Sequence, residues 1–172
     1  MNVRNESGET CMPEKFWLFK SEPGAYSFDD LVNQGVGHWD GVRNYAARNF
    51  LRDEVQVGDH VLFYHSNTDP LAVVGIAQVV RAGYPDHTAW DPTSEHPDPK
   101  STPEKPLWYM VDLCAVERLA HPVTMEEMRA MPVLDGMVLL KNSRLSIQPV
   151  AADHFHAIRT LGQPMPIAHT GR

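Results

Sequence analysis

The strand-like runs of this chain cluster instead of alternating with helices, and that order restricts the folds open to it more than any other feature. Phe16–Phe19 is a short apolar run suited to a buried strand. After the turn Val57-Gly58-Asp59 comes a second strand, His60–His65, and Leu71–Val80 is a third, rich in β-branched residues. Gly75 interrupts that third run and suggests a bulge or a close backbone approach. Strand character returns at Trp108–Glu117. Helices fall between and after these runs. Ser27-Phe28-Asp29-Asp30 reads as a capping box that opens a helix through Val32, stopped near Gly35 and Gly37. Tyr45–Leu51 has apolar residues at helical spacing, and Thr124-Met125-Glu126-Glu127 opens a helix that Pro132 ends. A last helix runs from about Ala151 to Leu161, with Phe155, Ile158 and Leu161 on one face. This order implies an α+β fold with a curved or barrel-like sheet.

At 172 residues and 42% hydrophobic content, the chain can bury a core of its own and is read as one domain. Residues 15–162 form that domain, and 1–14 and 163–172 read as flexible tails. Cys11 and Cys114 have no partner at metal-ligand spacing, which fits a reduced, cytoplasmic setting, nuclear in a eukaryote. No apolar run has signal-peptide or membrane-span character, so a soluble protein without a membrane partner is expected. The formal net charge of −7 argues against broad binding to a polyanion but permits recognition of one nucleotide in a pocket.

Trp39-Asp40-Gly41-Val42-Arg43-Asn44 mixes an aromatic, a glycine turn, a cation and an amide just before a helix. A flat ligand needs a ring to stack on and directional groups to read its edge. Trp39 is either that plate or a core tryptophan; Asn44 is either a donor or the helix N-cap. Lys20, Ser21 and Glu22 leave a strand end together, as a pocket mouth or as a solvated turn. In Tyr64-His65-Ser66, the histidine shares a face with Val61 and Phe63, while Tyr64 shares the other with Leu62. Arg144, Ser146 and Gln148 alternate along an extended stretch, as a polar pocket wall or as the wet face of an edge strand. Tyr84–Pro106, rich in Pro, Asp and Ser, reads as a long surface loop. Nucleotide-loop, hydrolase-elbow and zinc-helix motifs are missing, and His154 and His156 are two apart on a helix, a poor metal pair. No cofactor is expected.

Seven segments in order together resemble the EVE domain family of PUA-like folds. They are W-L-F-K-S-E-P (17–23), W-D-G-V-R-N-Y-A-A-R-N-F-L (39–51), V-G-D-H-V-L-F-Y-H-S-N (57–67), V-V-G-I-A-Q-V-V (73–80), Y-P-D (84–86), W-Y-M-V-D (108–112) and R-L-S-I-Q-P-V (144–150). The resemblance implies a PUA-like mixed β-barrel flanked by helices. It also implies a reader of modified bases whose partner is nucleic acid, with modified cytosine in DNA favoured and modified RNA another candidate. Carried over residue by residue, the pocket is drawn from Lys20, Ser21, Glu22, Trp39, Arg43, Asn44, Tyr64, His65, Ser66, Arg144 and Ser146. Phosphate contacts need cations, and Lys20, Arg43, Arg48, Arg52 and Arg144 in or beside the motifs would form a local basic rim. Two other readings compete: an enzyme acting on a modified nucleotide or nucleoside with His65 and Glu22 as acid and base, and a protein-interaction domain using the 84–106 loop.

Overall fold

The computed structural model describes residues 3–4, 10–11, 14–141 and 144–168. A two-stranded ladder pairs β1 (Val3–Arg4) with β2 (Thr10–Cys11). The domain then runs β3 (Phe16–Ser21), α1 (Phe28–Gln34), β4 (Val36–Trp39), α2 (Tyr45–Asp53), β5 (His60–His65) and β6 (Ala72–Pro85). It continues through β7 (Tyr109–Thr124), α3 (Met125–Arg129), β8 (Ile147–Val150), α4 (Ala152–Leu161) and β9 (Pro164–Pro166). Seven strands form one mixed sheet in the order β4-β7-β6-β5-β3-β8, with β9 added to β7. Among the described residues only β3 and β5 pair in parallel; α1, β4 and α2 make the crossover between them.

The α+β class with a mixed sheet and flanking helices is therefore as expected. The sheet is open, however: its ends, β4 and β8, do not pair with each other. Register shifts along β6 supply its bends, including one between Val73 and Gly75. Gly75 also meets the other half of its expectation. A Cβ there would lie 2.3 Å from the Phe28 ring, so the missing side chain is what lets α1 seat on the sheet.

Apolar clusters cover both faces of the central strands. Trp17, Phe19, Val61 and Phe63 pack on one side with Phe28 and Leu31 of α1 and Ala47 and Leu51 of α2. Leu18, Leu62 and Tyr64 pack on the other with Met128 of α3 and Phe155 and Ile158 of α4. Strands buried on both faces read as continuous apolar runs, which is why F-W-L-F and V-L-F-Y do not alternate. Buried Asp59 ties β3 to β5: its carboxylate accepts the Trp17 indole N–H at 2.9 Å and the backbone N–H groups of Lys15 and Gln56.

Both capping boxes form, Ser27 with Asp30 and Thr124 with Glu127. Other boundaries differ from expectation. Gly35 ends α1 with φ +77°, and Val36–Trp39 then pair with β7, an edge strand that a two-glycine stretch did not suggest. The third strand continues to Pro85, so the long loop begins at Asp86, not Tyr84. Leu161 lies at 36% exposure, off the buried face of α4. Residues 164–166, placed in a flexible tail by the sequence reading, pair with Glu117–Leu119 of β7. A proline-flanked strand suits that edge position because proline brings no N–H to the ladder. The rest of the tail readings, 1–2, 5–9, 12–13 and 169–172, lie outside the described residues.

Candidate functional site

The parallel pair β3 and β5 end side by side, with Lys20 opposite Tyr64 and Ser21 opposite His65. Beyond that end the backbone is laced to two further segments. Ser66 N–H donates to the Ser21 carbonyl at 2.9 Å, and Lys20 N–H to the Ser146 carbonyl at 2.9 Å. The end of β4 and the turn after it close a third side. Between them lies a cavity of about 710 Å³, within the usual range for small-molecule sites of about 300–1,000 Å³. Lys20, Ser21, Glu22, Trp39, Arg43, Ser66, Arg144 and Ser146, drawn from four separate sequence motifs, all line it.

Three residues that the resemblance assigned to the pocket do not line it. Asn44 is the N-cap of α2, its side-chain oxygen accepting the Ala47 N–H at 3.0 Å. Tyr64, 2% exposed, points into the second core cluster on the opposite face of β5. His65 shares the cavity-side face with Phe63, yet its Nε2 accepts the Phe28 N–H at 3.2 Å, which caps the start of α1. Burial pushes the His65 imidazole below its ordinary pKa and so favours the neutral form this bond requires.

Trp39 is a core tryptophan that also reaches the cavity. It is 8% exposed and sits within 5.3 Å of the Phe19 and Phe63 rings, with Tyr26 edge-on at 6.0 Å. Only its outer margin meets the cavity, as part of an apolar floor with Tyr26 and Val42. Gly41 makes the turn that follows. Its φ of +77° belongs to the left-handed region, and a Cβ would press on the His96 ring at 3.0 Å.

Arg43 spends its fork inside the protein. Nε and Nη2 donate to the His96 carbonyl at 3.0 and 2.7 Å, and Nη1 to the Val42 carbonyl and to Asp86 at 2.8 Å. Fully buried Asp86 also accepts from Gly41 N–H, Thr88 N–H and the Thr88 hydroxyl. Burial alone would raise its pKa, but the bonds from Thr88, Arg43 and Gly41 outweigh it and hold the carboxyl below the usual range. The long loop is thus bound to the cavity wall, and contributes Glu95 and His96 to it. Internal bonds reinforce the loop, among them Ser94 to the Thr88 carbonyl and Leu107 N–H to Ser101.

The sequence reading also missed Tyr26, Asp40, Glu95 and His96. Asp40 sits inside the quoted W-D-G-V-R-N segment, whereas the others reach the cavity through turns and loops with no motif to mark them. Protein crowded around Asp40, whose side chain still meets solvent, and then the Asp86 carboxylate push its pKa above the ordinary value. Burial lowers that of Lys20. The lining holds Lys20, Arg43 and Arg144 against Glu22, Asp40 and Glu95, so it is charge-balanced and the basic rim is not found there.

Comparison with known proteins bears on this geometry directly. The EVE domain family model matches residues 15–161. Mouse thymocyte nuclear protein 1 is 36% identical over 170 residues, covering 88% of this chain and 75% of its own. A solved hypothetical protein from Leishmania major superposes with TM-score 0.84 at 49% identity, over 87% of this chain and 95% of that one. The crystal structure of human THYN1 in complex with 5-methylcytosine-containing DNA superposes with TM-score 0.82 at 35% identity, over 89% and 100%.

Proposed function

Because the chain belongs to the EVE domain family, we propose that it is a non-catalytic module that binds nucleic acid by taking a modified base, 5-methylcytosine in DNA foremost, into the cavity beside Trp39. One observation carries this reading: a relative of the same fold, whose matched motifs in this chain converge on one cavity, is solved with 5-methylcytosine-containing DNA. A base can enter only after leaving its stack, at a cost of a few kcal/mol. Apolar contact with the Trp39 margin, Tyr26 and Val42 offsets that cost and suits a methyl group. The carboxylates of Glu22 and Asp40 suit the exocyclic amine of cytosine, which donates to acidic side chains.

The competing readings lose their chemical motivation. His65 accepts the Phe28 N–H and its pKa is lowered by burial, which argues against its acting as the acid beside Glu22. The 86–108 loop is bonded into the cavity wall, so it serves the cavity before any protein partner.

The test is a binding panel of methylated, hydroxymethylated and unmodified oligonucleotides, as DNA and RNA, at stated salt. Burial of one methyl group predicts about fourfold tighter binding of the methylated strand. Trp39→Phe, which keeps an aromatic ring in the core, is expected to weaken that binding with the fold intact by circular dichroism. Trp39→Ala is the poorer probe, since truncating a core tryptophan costs about 3–5 kcal/mol. Equal affinity for all members of the panel would overturn the modified-base reading, and turnover of a bound nucleotide would overturn the non-catalytic one.

A further inference from the structure

Beside the cavity stands an aromatic and cationic stack that the cavity itself does not require. Tyr45 opens α2 and is 59% exposed, yet its ring is fixed against Trp108, with centroids 4.9 Å apart and planes at 30°. Trp108 is buried and anchored, its indole N–H donating to Asp98 at 2.7 Å. The Arg43 guanidinium, which walls the cavity, lies 5.6 Å from the same indole. The stack therefore leads from the cavity wall out to the surface.

Arg48 completes it. Its guanidinium carbon is 4.9 Å from the Tyr45 centroid and 5.9 Å from that of Trp108. With the two rings 4.9 Å apart, the cation and both rings form one compact cluster. Tyr45 nonetheless keeps 59% of its surface exposed. Arg48 is held by bonds to the Leu107 carbonyl and the Asn49 side chain, and it makes no ion pair among the described residues. An ordered ring that stays largely exposed, with a cation against it, is matched to a flat, anionic partner: an unpaired base with its own phosphate.

We infer that Tyr45, backed by Trp108 and flanked by Arg48, is a second stacking site, for a base that flanks the one in the cavity on the same strand. The inference rests on the nucleic-acid reading above. It makes the protein a reader of strands with unstacked flanks, and it separates two tasks. The cavity chooses the base; the Tyr45 platform holds the strand without regard to sequence, since every base has a face to stack.

The experiment uses the full chain and three probes. Two are single-stranded nonamers, one with 5-methylcytosine and one with cytosine, each with 2-aminopurine next to that position; the third is the free nucleoside 5-methyldeoxycytidine. Tyr45→Ala is expected to weaken both nonamers by about five- to 150-fold, the range of one base–aromatic stack. It should abolish 2-aminopurine quenching, and leave nucleoside affinity unchanged. Tyr45→Phe should restore binding, because the ring acts and the hydroxyl does not. If folded Tyr45→Ala binds and quenches both nonamers like the wild type, the platform is refuted; a wild type that binds neither nonamer refutes it as well. If affinity depends on Tyr45 but is blind to methylation, the platform stands and the modified-base reading falls.

Discussion

Arg43 shows what a single residue's type can and cannot announce. Its sequence neighbours suggested a donor for a base edge, but apart from the adjacent Val42 carbonyl its acceptors lie on Asp86 and His96, 43 and 53 positions away. The guanidinium fork fits because it can serve a carboxylate and two carbonyls at once, which a lysine ammonium on a flexible stem does poorly. Arg43→Lys is accordingly expected to cost about 1–3 kcal/mol, measured by denaturant unfolding. Asp86 adds a pH dependence with a definite sign. Its folded-state pKa is lowered, so the stability it contributes is complete above the ordinary carboxylate value of about 4 and is lost as pH falls through its own lower value. The melting temperature of the wild type should decline below about pH 4, and that of Asp86→Asn, lower throughout, should decline less steeply over the same range. Parallel acid limbs for the two proteins would contradict this account.

Among the elements, α2 follows directly on the cavity wall, and its start illustrates how one amide can serve only one purpose. Asn44 was a possible base donor in sequence; its oxygen is taken by the Ala47 N–H, one of the orphan donors at a helix start. Asn44→Ala should lower stability by about 1 kcal/mol and leave affinity for a methylated oligonucleotide unchanged, while Asn44→Asp recovers the stability. A binding defect in a stable Asn44 variant would return the residue to the pocket. Elements marked by caps and long apolar runs were legible: both capping boxes, β5 from His60 to His65, and α4 within one residue of its start. The four-residue β4 was not. Its V-G-H-W sequence has a glycine at its second position, and its strand conformation depends on pairing with Val111–Cys114, about 75 residues away.

At the scale of the whole molecule, a chain of net charge −7 carries a charge-balanced cavity, with cations Arg48 and Arg52 on α2 nearby. Arg43 is paired with Asp86 and Arg52 with Asp53; Lys20 and Arg144 in the cavity wall and Arg48 beside it are the other cations placed to meet phosphates. Three phosphate contacts predict a plot of log affinity against log salt concentration with a slope of about −2 to −3. A slope of about −6 or steeper would require a basic face that this arrangement does not have. Selectivity is thus expected to come from the cavity walls more than from long-range attraction.

The W-D-G-V-R-N segment, the strand end K-S-E and the R-L-S stretch were recognisable as unusual because their residue types are local facts. The sequence by itself determined the α+β class, the capped helices and the doubly buried strands, since these follow from spacing, caps and apolar periodicity within a few residues. Only the tertiary structure decided which members of each motif face the cavity. Tyr64 and His65 are adjacent, yet one enters the far core and the other caps α1, because successive strand residues point to opposite faces. It likewise decided that Trp39 is mostly core, that Arg43 is a tie, and that Tyr45 is stacked yet largely exposed. Each of those outcomes depends on partners brought near by sheet pairing and loop closure, and no local pattern encodes which partner arrives.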